Sequence, residues 1–203
     1  SLSFPPQLRA VLNTLLVDPE SEGTFLAGVS SDQIEYSGIM RTTDGGATWR
    51  PVPDLRGEQV RSIAYKRANS KLVVAGTDSG VFLSFDHGAT WRRISPLDDA
   101  RLQPVVSVMF DPNDSSRVYA GTPPLPWVTS DGGITWRSIH LGMIDDSDVF
   151  SIQPDRNRPM RIFAAACSGI YRSLNGGETW TKLPGNKDAS ARTYVIVQDP
   201  QHE

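Results

Sequence analysis

Short apolar runs, many alternating with polar residues, recur along the chain between clusters of Gly, Pro, Asp and Ser. Val60-Arg61-Ser62-Ile63, Val105-Val106-Ser107-Val108 and Val149-Phe150-Ser151-Ile152 are rich in β-branched residues, and their period of two predicts half-buried strands. Asp18-Pro19 and Asp111-Pro112 stand where such a strand must turn, because Asp bonds its own backbone and Pro fixes φ. Second strands are expected over 24–28, 72–76, 118–121 and 162–166. Third strands start at Ile39, Val81 and Ile170, each preceded by Ser-Gly. No helix longer than two turns is expected between them.

These runs belong to a repeat. Residues 42–49, 84–91, 129–136 and 173–180 share the pattern [ST]-x-[DN]-x-G-x-T-W. The third positions, Asp44, Asp86, Asp131 and Asn175, are spaced by 42, 45 and 44 residues, and Trp49, Trp91, Trp136 and Trp180 repeat those intervals. The glycines permit a tight reversal from the third strand into a fourth that starts at Thr-Trp. Four antiparallel strands in a repeat of about 44 residues make one blade of a β-propeller. The chain divides into repeats 11–54, 55–99, 100–144 and 145–189 of one all-β domain. Residues 190–203 begin a further blade, since 194–200 matches the first strand and its turn. The expectation is four four-stranded blades plus the first strand of a fifth, a segment of a larger propeller completed by the remaining blades of the parent chain. Arg50, Arg92, Arg93, Arg137 and Lys182 follow the tryptophans, and long cations on an outermost strand discourage pairing with another chain. The four tryptophans are expected to lie largely buried between blades.

Composition narrows the partners more than it names them. Hydrophobic residues make up 38% and charged residues 21%, enough apolar material for a core. A net charge of -3 supplies no basic field for nucleic acid. No apolar run approaches the roughly 20 residues of a membrane span. One cysteine, Cys167, excludes an intrachain disulfide framework and reads as a small core residue. Three scattered histidines, His87 in a repeated turn, His140 and His202, make no metal site, and no cofactor is implied.

The eight-residue pattern resembles the Asp-box, or BNR repeat, of sialidases, sortilin-type receptors, xyloglucanases and photosystem II assembly factor propellers. The resemblance covers nearly the whole chain and implies the propeller fold. It also implies that Asp44, Asp86, Asp131 and Asn175 are structural, capping amides of their own hairpins away from the substrate face. A calcium role is not expected, because each turn offers one carboxylate where calcium takes several oxygens. The Arg-Ile-Pro segment of sialidases is missing; Arg161-Ile162-Phe163 is the nearest string.

Antiparallel topology places the third-to-fourth turns and the blade-to-blade connections on opposite faces. The connection face is where a ligand site is expected, and it holds Asp32, Glu35, Asp54, Asp78, Asp98, Asp99, Asp145, Asp146 and Asp148. Glycoside hydrolysis needs two carboxylates about 5 to 9.5 Å apart. The loop 138–148, with His140 and Met143 beside Asp145, Asp146 and Asp148, is the most chemically loaded stretch. It is expected beside the stiff Pro-rich loop 123–127, where Trp127 reads either as a sugar-stacking ring or as interblade core in the register of Met40, Phe82 and Tyr171. The ligand candidates are therefore His140, Trp127, Asp78, Asp98 and Asp99, and the catalytic candidates Asp145, Asp146 and Asp148. The reading is a binding or assembly scaffold for a protein or carbohydrate partner, from an exported bacterial protein, periplasmic or secreted. The alternative is a sialidase-like or xyloglucanase-like glycoside hydrolase.

Overall fold

The computed structural model describes residues 9–67, 69–123, 125–144, 148–184 and 192–199. They form four antiparallel four-stranded sheets, and three short 3-10 turns are the only helical elements among the described residues. The first sheet is β1 (Ala10–Val17), β2 (Phe25–Ser31), β3 (Gly38–Thr42) and β4 (Arg50–Pro51). The second is β5 (Val60–Lys66), β6 (Asn69–Thr77), β7 (Val81–Ser84) and β8 (Arg92–Arg93). The third is β9 (Ser107–Phe110), β10 (Val118–Gly121), β11 (Pro126–Thr129) and β12 (Arg137–Ser138). The fourth is β13 (Val149–Pro154), β14 (Ile162–Ala166), β15 (Gly169–Ser173) and β16 (Thr181–Lys182). Spatial order follows chain order in every sheet. The innermost strands stand side by side, β1 against β5, β5 against β9 and β9 against β13. This is the blade arrangement of a β-propeller.

The apolar core lies in three seams between blades. Leu26, Ile39, Val52 and Leu55 of the first blade meet Ile63, Val73, Phe82 and Trp91 of the second. Val74, Val81, Ile94 and Leu102 meet Val105, Val108, Val118 and Trp127. Tyr119, Val128 and Ile139 meet Val149, Ile152, Ile162, Tyr171 and Trp180. Alternation explains the sharing: adjacent residues of one strand point to opposite faces, so Phe82 faces back and Val81 and Leu83 face forward. The blade-to-blade connections are less loop-like than their sequence suggests. Val52, Leu55, Ile94, Leu102 and Ile139 are all buried, because the chain returns from the short outermost strand to the axis through the seam.

The tryptophans divide, which corrects the expectation of uniform burial. Trp91 and Trp180 are buried, whereas Trp49 and Trp136 are half-buried. Trp136 still reaches across its seam, its Nε1–H donating to the Ile94 carbonyl at 2.9 Å, and Trp180 does the same to Ile139 at 2.5 Å. Among the described residues no blade lies on the far side of Trp49, and it donates within its own turn, to the Gly46 carbonyl at 3.1 Å. Residues 192–199 run at the place of a next first strand but carry no strand pairing. Thr193 N–H donates to the Ala166 carbonyl at 3.1 Å, as Val149 N–H does to Thr122 at 3.4 Å in the seam before.

Trp180→Ala should cost about 3–5 kcal/mol, the range for a buried aromatic. Trp49→Ala should cost less than half as much, since its ring keeps contact with water. Urea titrations of both variants check this, and equal losses would contradict the seam assignment.

Candidate functional site

The four repeated turns share one hydrogen-bond pattern. In the first, Thr42 Oγ1 donates to Asp44 Oδ1 at 2.7 Å and accepts the Gly46 N–H at 3.0 Å. Asp44 also accepts the Thr48 N–H at 2.9 Å and the Thr48 hydroxyl at 2.6 Å. Asp86 and Asp131 repeat this with Thr90 and Thr135. Asn175 accepts the Thr179 N–H at 2.9 Å, and its amide nitrogen donates to the Thr179 hydroxyl. An amide does the work of the carboxylate once the hydroxyl reverses its proton. Donation by Thr135 holds the Asp131 carboxyl at about 2. The Thr42 and Thr48 hydroxyls likewise hold Asp44 well below the usual carboxylate range. These acids spend their hydrogen bonds inside their own turns.

The second of these turns is unlike the others. His87 occupies the position of Gly45, Gly132 and Gly176, and keeps their left-handed backbone at φ 57. Its Nδ1 lies 2.6 Å from Asp18 Oδ2 of the first blade. Ser70 Oγ donates to Asp18 Oδ1 at 2.6 Å and to Glu20 Oε2 at 3.0 Å, and lies 3.4 Å from the same His87 Nδ1. A serine-histidine-aspartate relay uses both ring nitrogens. Here the serine and the aspartate meet one nitrogen, so the cluster is an interblade clasp. Burial opposes ionisation of Asp18, but bonds from Ser70, the Glu20 amide and His87 outweigh it and lower its pKa. The sequence signal was present in His87, a side chain where the sister turns carry glycine. A second departure is Lys66, which stands three residues after Ile63 as Asp111 stands after Val108 and Asp155 after Ile152. Its buried ammonium donates to the Asp111 carbonyl across the second seam, and burial lowers its pKa.

On the connection face the expected site residues are dispersed. Asp78 accepts Arg61 through both oxygens, at 2.7 and 2.9 Å. Asp99 caps the Arg101 N–H at 3.1 Å and pairs with its guanidinium, which lowers the Asp99 pKa. Asp98 borders an open hollow of about 530 Å³ with Pro96, Asp99 and Arg101. Asp54 is exposed at the edge of the first seam, where Oδ2 accepts the Trp91 N–H at 2.8 Å. Glu58, missing from the sequence reading, accepts the hydroxyls of Thr77 and Ser79 at 2.8 and 2.6 Å. Trp127 is buried in the second seam with the Arg101 guanidinium 5.5 Å from its ring centre. Its Nε1 and the Nδ1 of half-buried His140 have no partner. The loop after Ile139 folds against the next blade, with the Leu141 carbonyl accepting the Trp180 N–H at 2.8 Å. The Asp148 carbonyl accepts from the N–H of half-buried Cys167 at 3.0 Å. Asp145 and Asp146 lie outside the described residues. Among the described residues no three His, Cys, Asp or Glu side chains converge as metal ligands.

A hollow of about 540 Å³ lies on the axis, where β1, β5, β9 and β13 end. Leu16, Ile63, Met109 and Phe110 give it apolar walls, with Tyr65 and Gln153 among its polar groups and Arg67 and Arg156 also lining it. It opens on the side of the Asp-Pro turns, opposite to the face the sequence favoured.

No family model and no curated protein matches the chain. Among solved structures, an ancestral GH74 enzyme is similar with a TM-score of 0.69 at 20% identity, covering 88% of this chain and 24% of that one. The GH74 enzyme of Niastella koreensis gives 0.62 at 18%, covering 84% and 29%. YCF48 from Cyanidioschyzon merolae gives 0.61 at 16%, covering 87% and 57%. At these identities the likeness is one of fold, and the chain is a β-propeller protein. It spans 24% of the length of the first of these structures and 57% of the last.

The depressed carboxyls make stability fall in acid. Their folded pKa values lie below the unfolded ones, so their contribution is complete above about pH 4 and is lost as pH falls through the lowered values. Asp131→Asn, copying the fourth turn, should leave the urea midpoint at pH 7 close to wild type and flatten its fall below about pH 4. An unchanged acid slope in this variant would refute the role of the turn.

Proposed function

We propose that the chain is a binding or assembly scaffold of the Asp-box type, whose partner is a protein. The observation that carries this is the fate of the carboxylates. Asp78 and Asp99 are held by arginines, Asp54 by a backbone amide and Glu58 by two hydroxyls. A glycosidase acid needs a raised pKa, and Asp99 has a lowered one. The axial hollow supplies what a scaffold needs instead: apolar walls with Arg67 and Arg156 beside them. These fit an extended partner segment that places apolar side chains in the hollow and an acidic flank at its rim.

The glycoside-hydrolase reading keeps one foothold, the acid-rich loop of Asp145, Asp146 and Asp148. Peptide libraries scored by fluorescence should return apolar sequences with acidic flanks, and Arg156→Glu should weaken them about tenfold, typical of losing a charge partner. Glycan libraries should give no turnover. Turnover that Asp146→Asn abolishes in a folded protein would replace the scaffold with the hydrolase.

A further inference from the structure

The cross-strand pairs between third and fourth strands set the first blade apart. Arg41 faces Arg50 there, whereas the later blades pair Leu83 with Arg92, Val128 with Arg137 and Arg172 with Thr181. Only the first of these pairs puts two guanidinium groups directly opposite each other. Like charges so placed repel and destabilise a sheet, unless an opposite charge lies between them.

The later blades show how such an arginine is answered. Arg92 lies over its own Phe85 ring, 5.0 Å from the centroid, and Arg137 crosses the third seam to the Glu178 carboxylate of the next blade. Glu178 stands two residues before Trp180, and the residue two before Trp91 is Ala89. The acid that would meet Arg50 across the first seam is therefore replaced by a methyl group, and a second arginine is added beside it. Arg41 donates its Nε–H to the His87 carbonyl at 3.2 Å, and among the described residues neither Arg41 nor Arg50 forms an ion pair. Both face an open pocket of about 350 Å³, whose lining includes Thr43, Asp44, Thr48 and Ala89. Its walls are the first blade and the repeated turn of the second. Asp44 is the one carboxylate in this lining, and its oxygens are engaged by Thr42 and Thr48 of its own turn.

We propose that this pocket between the first two repeated turns binds a tetrahedral oxyanion, a phosphate or sulfate group, gripped by Arg41 and Arg50. A single carboxylate is already satisfied by one arginine, as Asp78 is by Arg61 through both oxygens. Two guanidinium forks on facing positions offer donors to more oxygens than a carboxylate has, and they balance a double negative charge. The bound group stands where Glu178 stands in the third seam, and links the first blade to the second through the ligand instead of a side chain. The pocket shares no lining residue with the axial hollow, so the proposal holds whether or not that hollow takes a protein segment.

Isothermal titration calorimetry of the 203-residue chain with inorganic phosphate, at ionic strength held constant with sodium chloride, tests the proposal. The expected result is one site with a dissociation constant of about a millimolar, the scale of a few charge-assisted hydrogen bonds at an open pocket. Arg50→Ala should weaken binding at least about tenfold. Ala89→Glu, which copies the third seam, should abolish it by supplying the missing acid. Asp44→Asn, which copies the fourth turn, should tighten it several-fold by removing the negative charge from the lining. Circular dichroism like that of the wild type guards against misfolding. Titration with O-phosphoserine separates the sources: an affinity equal to that for phosphate assigns the site to an ester group, and phosphate binding alone assigns it to the free ion. Acetate bound as tightly as phosphate overturns the tetrahedral assignment. Absence of binding, or the same phosphate effect in the wild type, Arg50→Ala and Ala89→Glu, overturns the proposal and leaves the two arginines as solvated charges under a general salt effect.

Discussion

A twisted four-stranded sheet with apolar side chains on both faces cannot shield itself from water, and each blade here depends on its neighbours for that shielding. The seam is therefore the unit of stability, and the rest of the structure serves it. Strands β4, β8, β12 and β16 are two residues long because the chain must leave the perimeter early and thread Val52, Ile94, Ile139 or Leu183 inward. Gly133, at φ 98, packs so closely that a Cβ there would lie 2.5 Å from the Ile94 Cβ. The repeated turn does not hold blades together by its carboxylate, which bonds only within the turn. It fixes where the fourth strand starts, and so where the tryptophan reaches.

The regular part of this build was legible in the residues. Period-two runs such as 60–63 and 149–152 became β5 and β13, and the 42- to 45-residue spacing of the turns became the spacing of blades. What the pattern did not carry was which neighbour a face meets. Trp49 and Trp180 share one motif, but among the described residues Trp180 packs on a preceding blade and Trp49 does not. The bond from the Trp91 amide to the exposed Asp54 carboxylate was likewise invisible, since an acid in a connection reads as merely solvated until the neighbouring blade is seen.

The candidate site was less legible than the fold, for a physical reason. Repeats align like residues by position, whereas a site is made where repeats differ, and single differences look like noise in one sequence. His87 in place of glycine and Lys66 in the register of aspartate are such differences. Both engage the next blade over, His87 with Asp18 and Lys66 with Asp111. Expectation had centred on the connection face because its acids are numerous there, but acids held by Arg61 and Arg101 are counter-ions and the axial hollow lies on the other side.

The second blade thereby has a fixed address. Four near-equivalent modules could in principle exchange neighbours during folding, since each offers an apolar front and back of similar size. The ammonium of Lys66 reaches forward to a carbonyl of the third blade, and the imidazole of His87 reaches back to a carboxylate of the first. Loss of either neighbour would leave the buried ammonium without its acceptor or the left-handed histidine without its carboxylate. The second blade is thus tied to both of its neighbours by polar side chains as well as by apolar seams, through two residues whose partners lie on opposite sides.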